Sequence, residues 1–253
     1  MQNLSPKTLF TGQQLIYLAE CGSTNTFAQE LIIKNNATEG CVVLAGAQTQ
    51  GKGQRGNTWE SEPFQNLTFS LILTPSFLKA RDQFLLNMAV SLAVLDAVTS
   101  FLPTGCTVKW PNDIYFNNRK LGGILIENSI SGEFLQRSII GIGLNINQEH
   151  FTVDTAVSFT QLTGRKYDLN LVLENLLEQL EKRYLQLRQQ KTERIKFEYL
   201  QNLYKYQEKH FYLIDGKRQE AQIIGVDESG RLVVEVANEL RYFGFKEIVF
   251  LPS

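Results

Sequence analysis

A short segment of the chain places a cation, an indole ring, an amide and a carboxylate within five residues. The segment reads KWPND from Lys109 to Asp113, and Lys120 follows seven residues later at the start of an apolar run. Proline restricts the backbone of such a turn, and Gly122 and Gly123 leave space above a strand. These groups could neutralise phosphate charge and orient an attacking nucleophile.

A glycine-rich loop earlier in the chain could bind phosphate. Residues 48–59 read QTQGKGQRGNTW and contain three glycines and the cations Lys52 and Arg55. Glycine allows backbone N–H groups to approach phosphate oxygens closely. The loop contains a GxGxxG pattern, but no amphipathic helix follows it and Pro63 comes soon after, which excludes a Rossmann dinucleotide site. The composition suits a nucleoside triphosphate, although a solvated loop could have the same composition.

Five motifs in this order and spacing resemble the catalytic core of the biotin protein ligases. They are STN, QTQGKGQRGNTW, KWPND, KLGGILIE and GIGLNIN, which lie between residues 15 and 147. Five ordered motifs are much harder to match by chance than one glycine pattern. The resemblance implies a biotin-[acetyl-CoA-carboxylase] ligase that uses ATP to convert biotin to biotinyl-5'-AMP. The biotin would then be transferred to a lysine of a biotin carboxyl carrier protein.

The resemblance also implies roles for particular residues. Lys120 would contact the biotin carboxylate and the adenylate phosphate, where its charge would stabilise the transition state. Asp113 would orient or deprotonate the incoming lysine amine. Lys109 and Arg55 complete the implied catalytic set. The implied biotin pocket consists of Ser23, Thr24, Asn25, Gln48, Gly51, Lys52, Gly53, Gln54 and Lys120. The implied ATP site consists of Lys52, Arg55, Trp59, Lys109, Asn112 and Asn145.

The glycine loop departs from the family pattern. The family usually carries arginines at the positions of Lys52, Gln54 and Asn57, so only one of the three positions keeps a cation. Arg55 lies one residue beyond Gln54 and could replace a missing guanidinium. Gln54 cannot neutralise phosphate, but its backbone could line the biotin pocket.

Several alternatives remain open from the residues themselves. Ser23 or Thr24 could simply cap a helix, and Trp59 or Trp110 could be an adenine-covering wall or an ordinary core residue. Lipoate ligases share the fold and the adenylate chemistry, so they are the nearest alternative function. A non-enzymatic sensor of biotin or nucleotide is a second alternative, of a different class.

Composition limits the remaining classes of function. The net charge of -1 provides no broad field for nucleic acid, so an anionic ligand must be held by local cations. Three cysteines form no CxxC pair and the two histidines lie in no metal-type cluster, so no residue is assigned as a metal ligand. Mg²⁺ would accompany ATP, held chiefly by phosphate and water. The N-terminus has no signal-peptide pattern, which predicts a cytoplasmic protein.

Hydrophobic periodicity predicts the elements that position these groups. Polar residues 23–25 follow a first strand and precede a helix, and the apolar stretch 82–102 is interrupted by polar residues, which favours a core helix over a membrane span. Two amphipathic helices follow Asp168, a predicted cap. Strands are predicted at 15–19, 41–47, 67–73, 107–110, 114–116, 123–128 and 134–147, and shorter ones near 210–214, 220–226, 231–236, 240–243 and 247–251.

These elements agree with the fold that the resemblance implies. That fold is α+β, with a class II aminoacyl-tRNA synthetase-like catalytic domain containing a mixed, mainly antiparallel sheet, plus a small C-terminal SH3-like β-barrel. The predicted division is 1–204 for the biotin- and ATP-binding domain and 205–253 for the barrel. Since the first strand begins near Leu15, we expect no N-terminal DNA-binding domain and a monofunctional enzyme. No membrane partner is expected, and the oligomeric state, including a homodimer, is left open.

Overall fold

The larger of two β-sheets forms the centre of the molecule. The computed structural model describes residues 4–102 and 104–251, apart from the side chain of Arg55. The strands of this sheet are β1 (Leu15–Cys21), β2 (Val42–Gln48), β3 (Leu67–Leu73), β4 (Cys106–Lys109), β5 (Asp113–Phe116), β6 (Arg119–Ser131) and β7 (Phe134–Leu144). They lie in the order β1-β2-β3-β7-β6-β5-β4. Among the strands of the described residues in this sheet, β1 and β2 are the one parallel pair, so the predicted mixed, mainly antiparallel sheet is confirmed.

Helices cover this sheet, and the longest apolar one is buried. They are α1 (Thr24–Ile33), α2 (Phe84–Thr99), α3 (Phe159–Thr163), α4 (Leu169–Arg188) and α5 (Thr192–Gln201). By length and composition alone the segment Ala80–Thr99 could cross a membrane. Eleven of the 16 residues of α2 are buried, however, and α2 packs against α4 and α5. This helix therefore forms part of the core, as its interrupting polar residues predicted.

The C-terminal part of the chain forms a second, antiparallel sheet. Its strands are β8 (Lys209–Ile214), β9 (Lys217–Val226), β10 (Leu232–Val236), β11 (Glu239–Phe243) and β12 (Ile248–Phe250). Their order is β11-β10-β9-β8-β12, and alternate side chains such as Leu232, Val234 and Val236 are buried. The five short strands predicted for this region are all present. The division of the chain near residue 204 stays a prediction.

Two local features differ from the sequence prediction. α3 was not predicted, although Ser158 and Gln161 form a capping box at its start, a pattern that the sequence contains. Ser23 occupies the N-cap position of α1 but makes no side-chain capping hydrogen bond. Instead, Gln48 Oε1 accepts a hydrogen bond from the Thr24 backbone N–H at 2.7 Å. The capping role considered for the Ser23 side chain is therefore wrong, and an amide from the end of β2 satisfies the first backbone N–H of the helix instead.

The three cysteines are free thiols within the fold. Cys41 is buried, while Cys21 and Cys106 are half-buried. Burial raises the pKa of Cys41 and of Cys106 to about 11, and burial is also the main cause of the raised pKa of Cys21. Thiols of this kind are rarely ionised at neutral pH and react slowly. The three cysteines therefore behave as small packing residues of the fold.

A buried carboxylate of α4 anchors the N-terminal segment. Glu181 is 6% exposed. Its Oε1 accepts a hydrogen bond from Leu9 N at 2.6 Å, and its Oε2 accepts from Phe10 N and Thr11 N, each at 2.9 Å. Three consecutive backbone donors outside any sheet are satisfied by one charged side chain.

Replacing this carboxylate should destabilise the fold. Glu181→Ala leaves three backbone N–H groups without their acceptor, so we expect the free energy of unfolding to fall by at least about 2 kcal/mol in urea denaturation. Glu178→Ala is the matched control, because Glu178 accepts a single, exposed bond from Lys7 N at 3.1 Å. Equal effects of the two substitutions would contradict this account of the anchor.

Candidate active site

A cavity of about 110 Å³ lies over the larger sheet, beside the start of α1. It brings together most of the residues that the motifs singled out, from five separate parts of the sequence. Phe245, from the turn between β11 and β12, also lines it. The predicted site residues that line the cavity are Ser23, Thr24, Asn25, Gln48, Lys52, Gly53, Gln54, Trp59, Asn112, Asp113 and Lys120.

An ion pair between Lys120 and Asp113 lies in the cavity wall. Lys120 Nζ is 2.7 Å from Asp113 Oδ1, and both side chains are partly exposed. The pairing of β5 with β6 sets Asp113 opposite Gly123. A Cβ on Gly123 would lie 3.4 Å from Lys120 Nζ and 3.5 Å from Asp113 Oδ1, so the glycine leaves the pair open to the cavity. The ammonium is thus both held in place and accessible to an anionic ligand.

The backbone of Lys120 is fixed from the side away from β5. Lys120 N donates to Thr155 O at 2.6 Å, and Lys120 O accepts from Val157 N at 2.9 Å. The segment that precedes α3 therefore pairs with the start of β6. Because the backbone of Lys120 is held in this way, the position of its ammonium depends mainly on the conformation of its side chain.

The glycine-rich loop folds back on itself at the edge of the cavity. Gly53 N donates to Asn57 O at 2.7 Å, and Trp59 N donates to Gly51 O at 3.0 Å. Gly51 is buried and does not line the cavity, since a Cβ there would meet Trp59 O at 2.3 Å. Lys52 is exposed at the edge. The side chain of Arg55 lies outside the described residues, so its predicted roles stay predictions.

The indole of Trp59 lies against the floor of the cavity. A Cβ on Gly143 would meet Trp59 Cε2 at 2.2 Å, so the ring rests directly on a bare backbone. Lys120 Nζ is 5.8 Å from the centroid of this ring. Trp59 Nε1 is buried and has no hydrogen-bond partner among the described residues. The ring therefore forms a wall of the cavity, and its Nε1–H is available to donate a hydrogen bond to a ligand.

Asn112 and Asn145 are both buried, but only Asn112 lines the cavity. Asn112 Nδ2 donates to Ile124 O, which ties the KWPND turn to β6. Asn145 Nδ2 donates to Val157 O at 3.2 Å, while its Oδ1 has no partner within the described part of the chain. A buried amide oxygen without a donor is available to a cation or a ligand N–H.

Lys109 lies outside the cavity lining, among aromatic rings. Its Nζ donates to the Tyr115 hydroxyl at 3.0 Å and lies 4.4 Å from the Tyr115 ring centroid and 4.8 Å from that of Phe250. Burial lowers the pKa of Lys109, while the nearby Asp113 carboxylate acts in the opposite direction. Cation–π contacts thus partly replace the lost hydration of this ammonium. Its predicted contact with phosphate stays a prediction.

Trp110 is not a wall of this cavity. It is 6% exposed, and its Nε1 donates at 2.9 Å to Gly230 O in the turn between β9 and β10. This bond joins the KWPND turn to the C-terminal part of the chain, as expected for a packing residue, and the ligand-covering role considered for Trp110 stays a prediction. Sequence reasoning missed Phe245 as a cavity residue, and no local pattern marks it. Gly143 was noted only as a small strand residue of the GIGLNIN motif and was not assigned to the site, although the alternating glycines of that motif were a usable signal.

Filling the space over Gly143 should displace the glycine-rich loop. In Gly143→Ala the new methyl group would overlap the Trp59 ring, and overpacking typically costs about 1–3 kcal/mol. We expect the amides of Gly53 and Trp59 to exchange with deuterium about tenfold faster or more. Gly225→Ala is the control, because a Cβ there meets nothing within 4 Å. Unchanged exchange in Gly143→Ala would show that Trp59 does not hold the loop.

Comparison with known proteins identifies relatives of the chain. The model of the Biotin/lipoate A/B protein ligase family matches residues 18–145. Over 184 residues the chain is 38% identical to the bifunctional ligase/repressor BirA of Bacillus spizizenii, covering 70% of this chain and 56% of that protein. Over 180 residues it is 32% identical to the biotin-[acetyl-CoA-carboxylase] ligase of Mycobacterium tuberculosis, covering 70% of this chain and 66% of that protein.

The fold of the chain is also found among solved structures. A biotin protein ligase from Aquifex aeolicus, solved in complex with biotin and ATP, superposes with a TM-score of 0.79 and 24% sequence identity, covering 95% of this chain and 100% of that one. The chain spans little more than half the length of the Bacillus relative. The family model covers residues 18–145, which supply every cavity residue named above except Phe245. The chain therefore belongs to the biotin/lipoate A/B protein ligase family.

Proposed function

We propose that the protein is a biotin protein ligase. It would activate biotin with ATP to biotinyl-5'-AMP, release pyrophosphate, and transfer the biotinyl group to a lysine of a biotin carboxyl carrier protein. The observation that carries the proposal is the accessible ion pair of Lys120 and Asp113, 2.7 Å apart, beside a wall of hydroxyl and amide groups. The names of the relatives from Bacillus, Mycobacterium and Aquifex support the same activity.

The first step requires charge neutralisation more than covalent help from the protein. A biotin carboxylate oxygen attacks the α-phosphorus of ATP, a new P–O bond forms, and the bond to pyrophosphate breaks. Negative charge grows on the phosphoryl oxygens during this step, and a preorganised cation stabilises it. The geometry of Lys120 supports this role, because its ammonium lines the cavity while its backbone N–H and C=O are both bonded to the segment that precedes α3.

The second step requires a neutral amine. The nitrogen of the acceptor lysine attacks the carbonyl carbon of the adenylate, and AMP leaves with the electrons of the broken C–O bond. Asp113 is the carboxylate in the cavity that can accept a hydrogen bond or a proton from that amine. Its 2.7 Å contact with Lys120 supports the proposal that both groups act on the same ligand.

ATP with Mg²⁺ belongs to the proposal. Magnesium prefers oxygen ligands and usually keeps water and phosphate around it. Residues 4–102 and 104–251 contain no group of three or more His, Cys, Asp or Glu that could hold a metal by themselves. Asn145 Oδ1 has no hydrogen-bond partner within the described residues, but Asn145 does not line the cavity, so its contact with the metal-bound nucleotide stays a prediction. Magnesium would neutralise part of the triphosphate charge, and Trp59 and Lys52 at the cavity would bind the nucleotide.

The partners and location follow from the same activity. The carrier protein must bring its lysine to the cavity, where Phe245 of the C-terminal sheet forms part of the wall. A cytoplasmic location and a homodimer are parts of the proposal that need their own measurements. Separating purified protein by size and light scattering would determine the oligomeric state.

Lipoate activation is the nearest alternative, since the family name includes it. The polar wall of Ser23, Thr24 and Gln48 favours biotin, because the ring urea of biotin has hydrogen-bond donors and an acceptor. The dithiolane ring of lipoate has neither an N–H nor a carbonyl group. A sensor without catalysis would bind the same ligand but would release no pyrophosphate.

Biotin-dependent exchange of pyrophosphate into ATP is the decisive test. With MgATP and biotin, and without any acceptor protein, we expect exchange that lipoate supports poorly. Exchange with lipoate but not with biotin would select the alternative enzyme. Binding of biotin without exchange would select the sensor.

Lys120→Ala should slow adenylate formation about a hundredfold or more, because removal of one such electrostatic contact has effects of this size. The measurement is single-turnover adenylation together with thermal melting. Lys34→Ala is the control, since Lys34 forms only an exposed pair with Glu30 at 3.7 Å. Near-normal adenylation in folded Lys120→Ala would show that the assignment of this lysine is wrong.

A further inference from the structure

A chain of buried hydrogen bonds runs behind the cavity and ends at Thr24. Asn25 Nδ2 donates to Glu127 Oε2 at 2.6 Å. Ser70 Oγ lies 2.5 Å from Asn25 Oδ1 and 2.8 Å from Thr24 Oγ1. Ser70 is fully buried in β3, Thr24 and Asn25 are buried at the start of α1, and Glu127 is exposed on β6. Three elements of the fold are thus connected by side chains alone.

The chemistry of these groups fixes the orientation of the Asn25 amide. A carboxylate accepts hydrogen bonds and donates none, so Glu127 requires the NH₂ group of Asn25 on its side. Leu125 O, at 3.5 Å from the same nitrogen, is also an acceptor. The amide oxygen of Asn25 must then face Ser70. A Cβ on Gly141 would meet this oxygen at 2.4 Å, so the amide lies tightly against bare backbone and has little room to turn.

The orientation of the Asn25 amide determines which groups donate and which accept at the cavity wall. An amide oxygen can only accept, so the single hydroxyl proton of Ser70 is directed to Asn25 Oδ1. The bond between Ser70 and Thr24 then needs the proton of Thr24. Because its proton is used in that bond, the Thr24 hydroxyl can only accept a hydrogen bond from a ligand. Gln48 Oε1 is occupied by Thr24 N at 2.7 Å, which leaves Gln48 Nε2 as a donor.

We propose that Ser70 and Glu127 are positioning residues that set the ligand polarity of the pocket, so that Thr24 accepts and Gln48 donates. The ligand that fits carries an N–H beside a C=O, which is the pattern of a cyclic urea. This inference rests on the proposed function and deepens it, because it names the residues that separate a urea from a ring without N–H groups. Buried polar groups arranged in this way reject ligands that leave them unpaired.

Calorimetric titration of biotin and of its two cyclic carbamate analogues tests the proposal. Each analogue has oxygen in place of one ring N–H, so one of them sets an oxygen against the lone pairs of Thr24. For the folded protein we expect that analogue to bind about tenfold weaker than biotin or worse. In Ser70→Ala the proton of Thr24 is released and can be donated to the ring oxygen, so the preference for biotin should fall by about tenfold.

Ser138→Ala is the matched control. Ser138 is also fully buried in the same sheet, and its Oγ donates to an asparagine oxygen, Asn128 Oδ1, at 2.7 Å. It has no connection to Thr24 through the hydrogen bonds described here, so its loss should keep the full preference for biotin. A general loss of packing would affect both serine variants equally.

A second pair of variants applies if Ser70→Ala does not melt cooperatively. Glu127→Leu removes the acceptor at the exposed end and should reduce the preference, while Glu127→Gln keeps an acceptor oxygen and should retain it. If wild type, Ser70→Ala and Glu127→Leu all bind biotin with the same preference over the carbamate, Ser70 and Glu127 do not set the polarity of the pocket. The ligase proposal would be unaffected by that result. A wild-type protein that binds no biotin would overturn both.

Discussion

The ion pair of Lys120 and Asp113 depends on the register between β5 and β6. Asp113 begins β5 and Lys120 lies near the start of β6, and the pairing of Asp113 with Gly123 brings the two charges to 2.7 Å. A slip of one residue would turn one of the charges to the opposite face of the sheet. The register is held by Asn112, whose backbone O accepts from Ile124 N at 3.0 Å. The site therefore depends on a short hairpin that its own polar residues hold in place.

Bare backbone is the second requirement of the site. Gly123, Gly141 and Gly143 lie on neighbouring strands, and at each position a side chain would reach a group that the cavity needs. The groups are Lys120, the Asn25 amide and the Trp59 ring, respectively. Glycine lowers strand stability by about 0.5–1 kcal/mol relative to alanine. At these three positions of the central sheet, the space that glycine leaves for the cavity is more important than the strand stability that it costs.

Much of this arrangement could be predicted from the sequence, because the motifs and the hydrophobic periods are local. β3 was predicted at its observed limits, and Asp168 caps α4 through its bond to Asn170 N at 2.8 Å. Contacts between distant segments could not be predicted. The Gln48 amide that satisfies Thr24 N and the placement of Phe245 in the cavity depend on tertiary packing, for which neither segment has a local signal.

The C-terminal sheet and one of its turns contact two adjacent residues of the KWPND segment, which carries Asp113. Trp110 donates to Gly230 O, and Lys109 Nζ lies 4.8 Å from the Phe250 ring centroid. Gly230 has a φ of +87° and a Cβ there would meet Phe84 at 2.4 Å, so this contact needs glycine both for its backbone conformation and for space. Since the next residues of the turn line the cavity, a shift of the C-terminal sheet would move Asn112 and Asp113 as well. A small domain that contributes one cavity side chain can thus control the position of the reacting groups through the backbone that it holds.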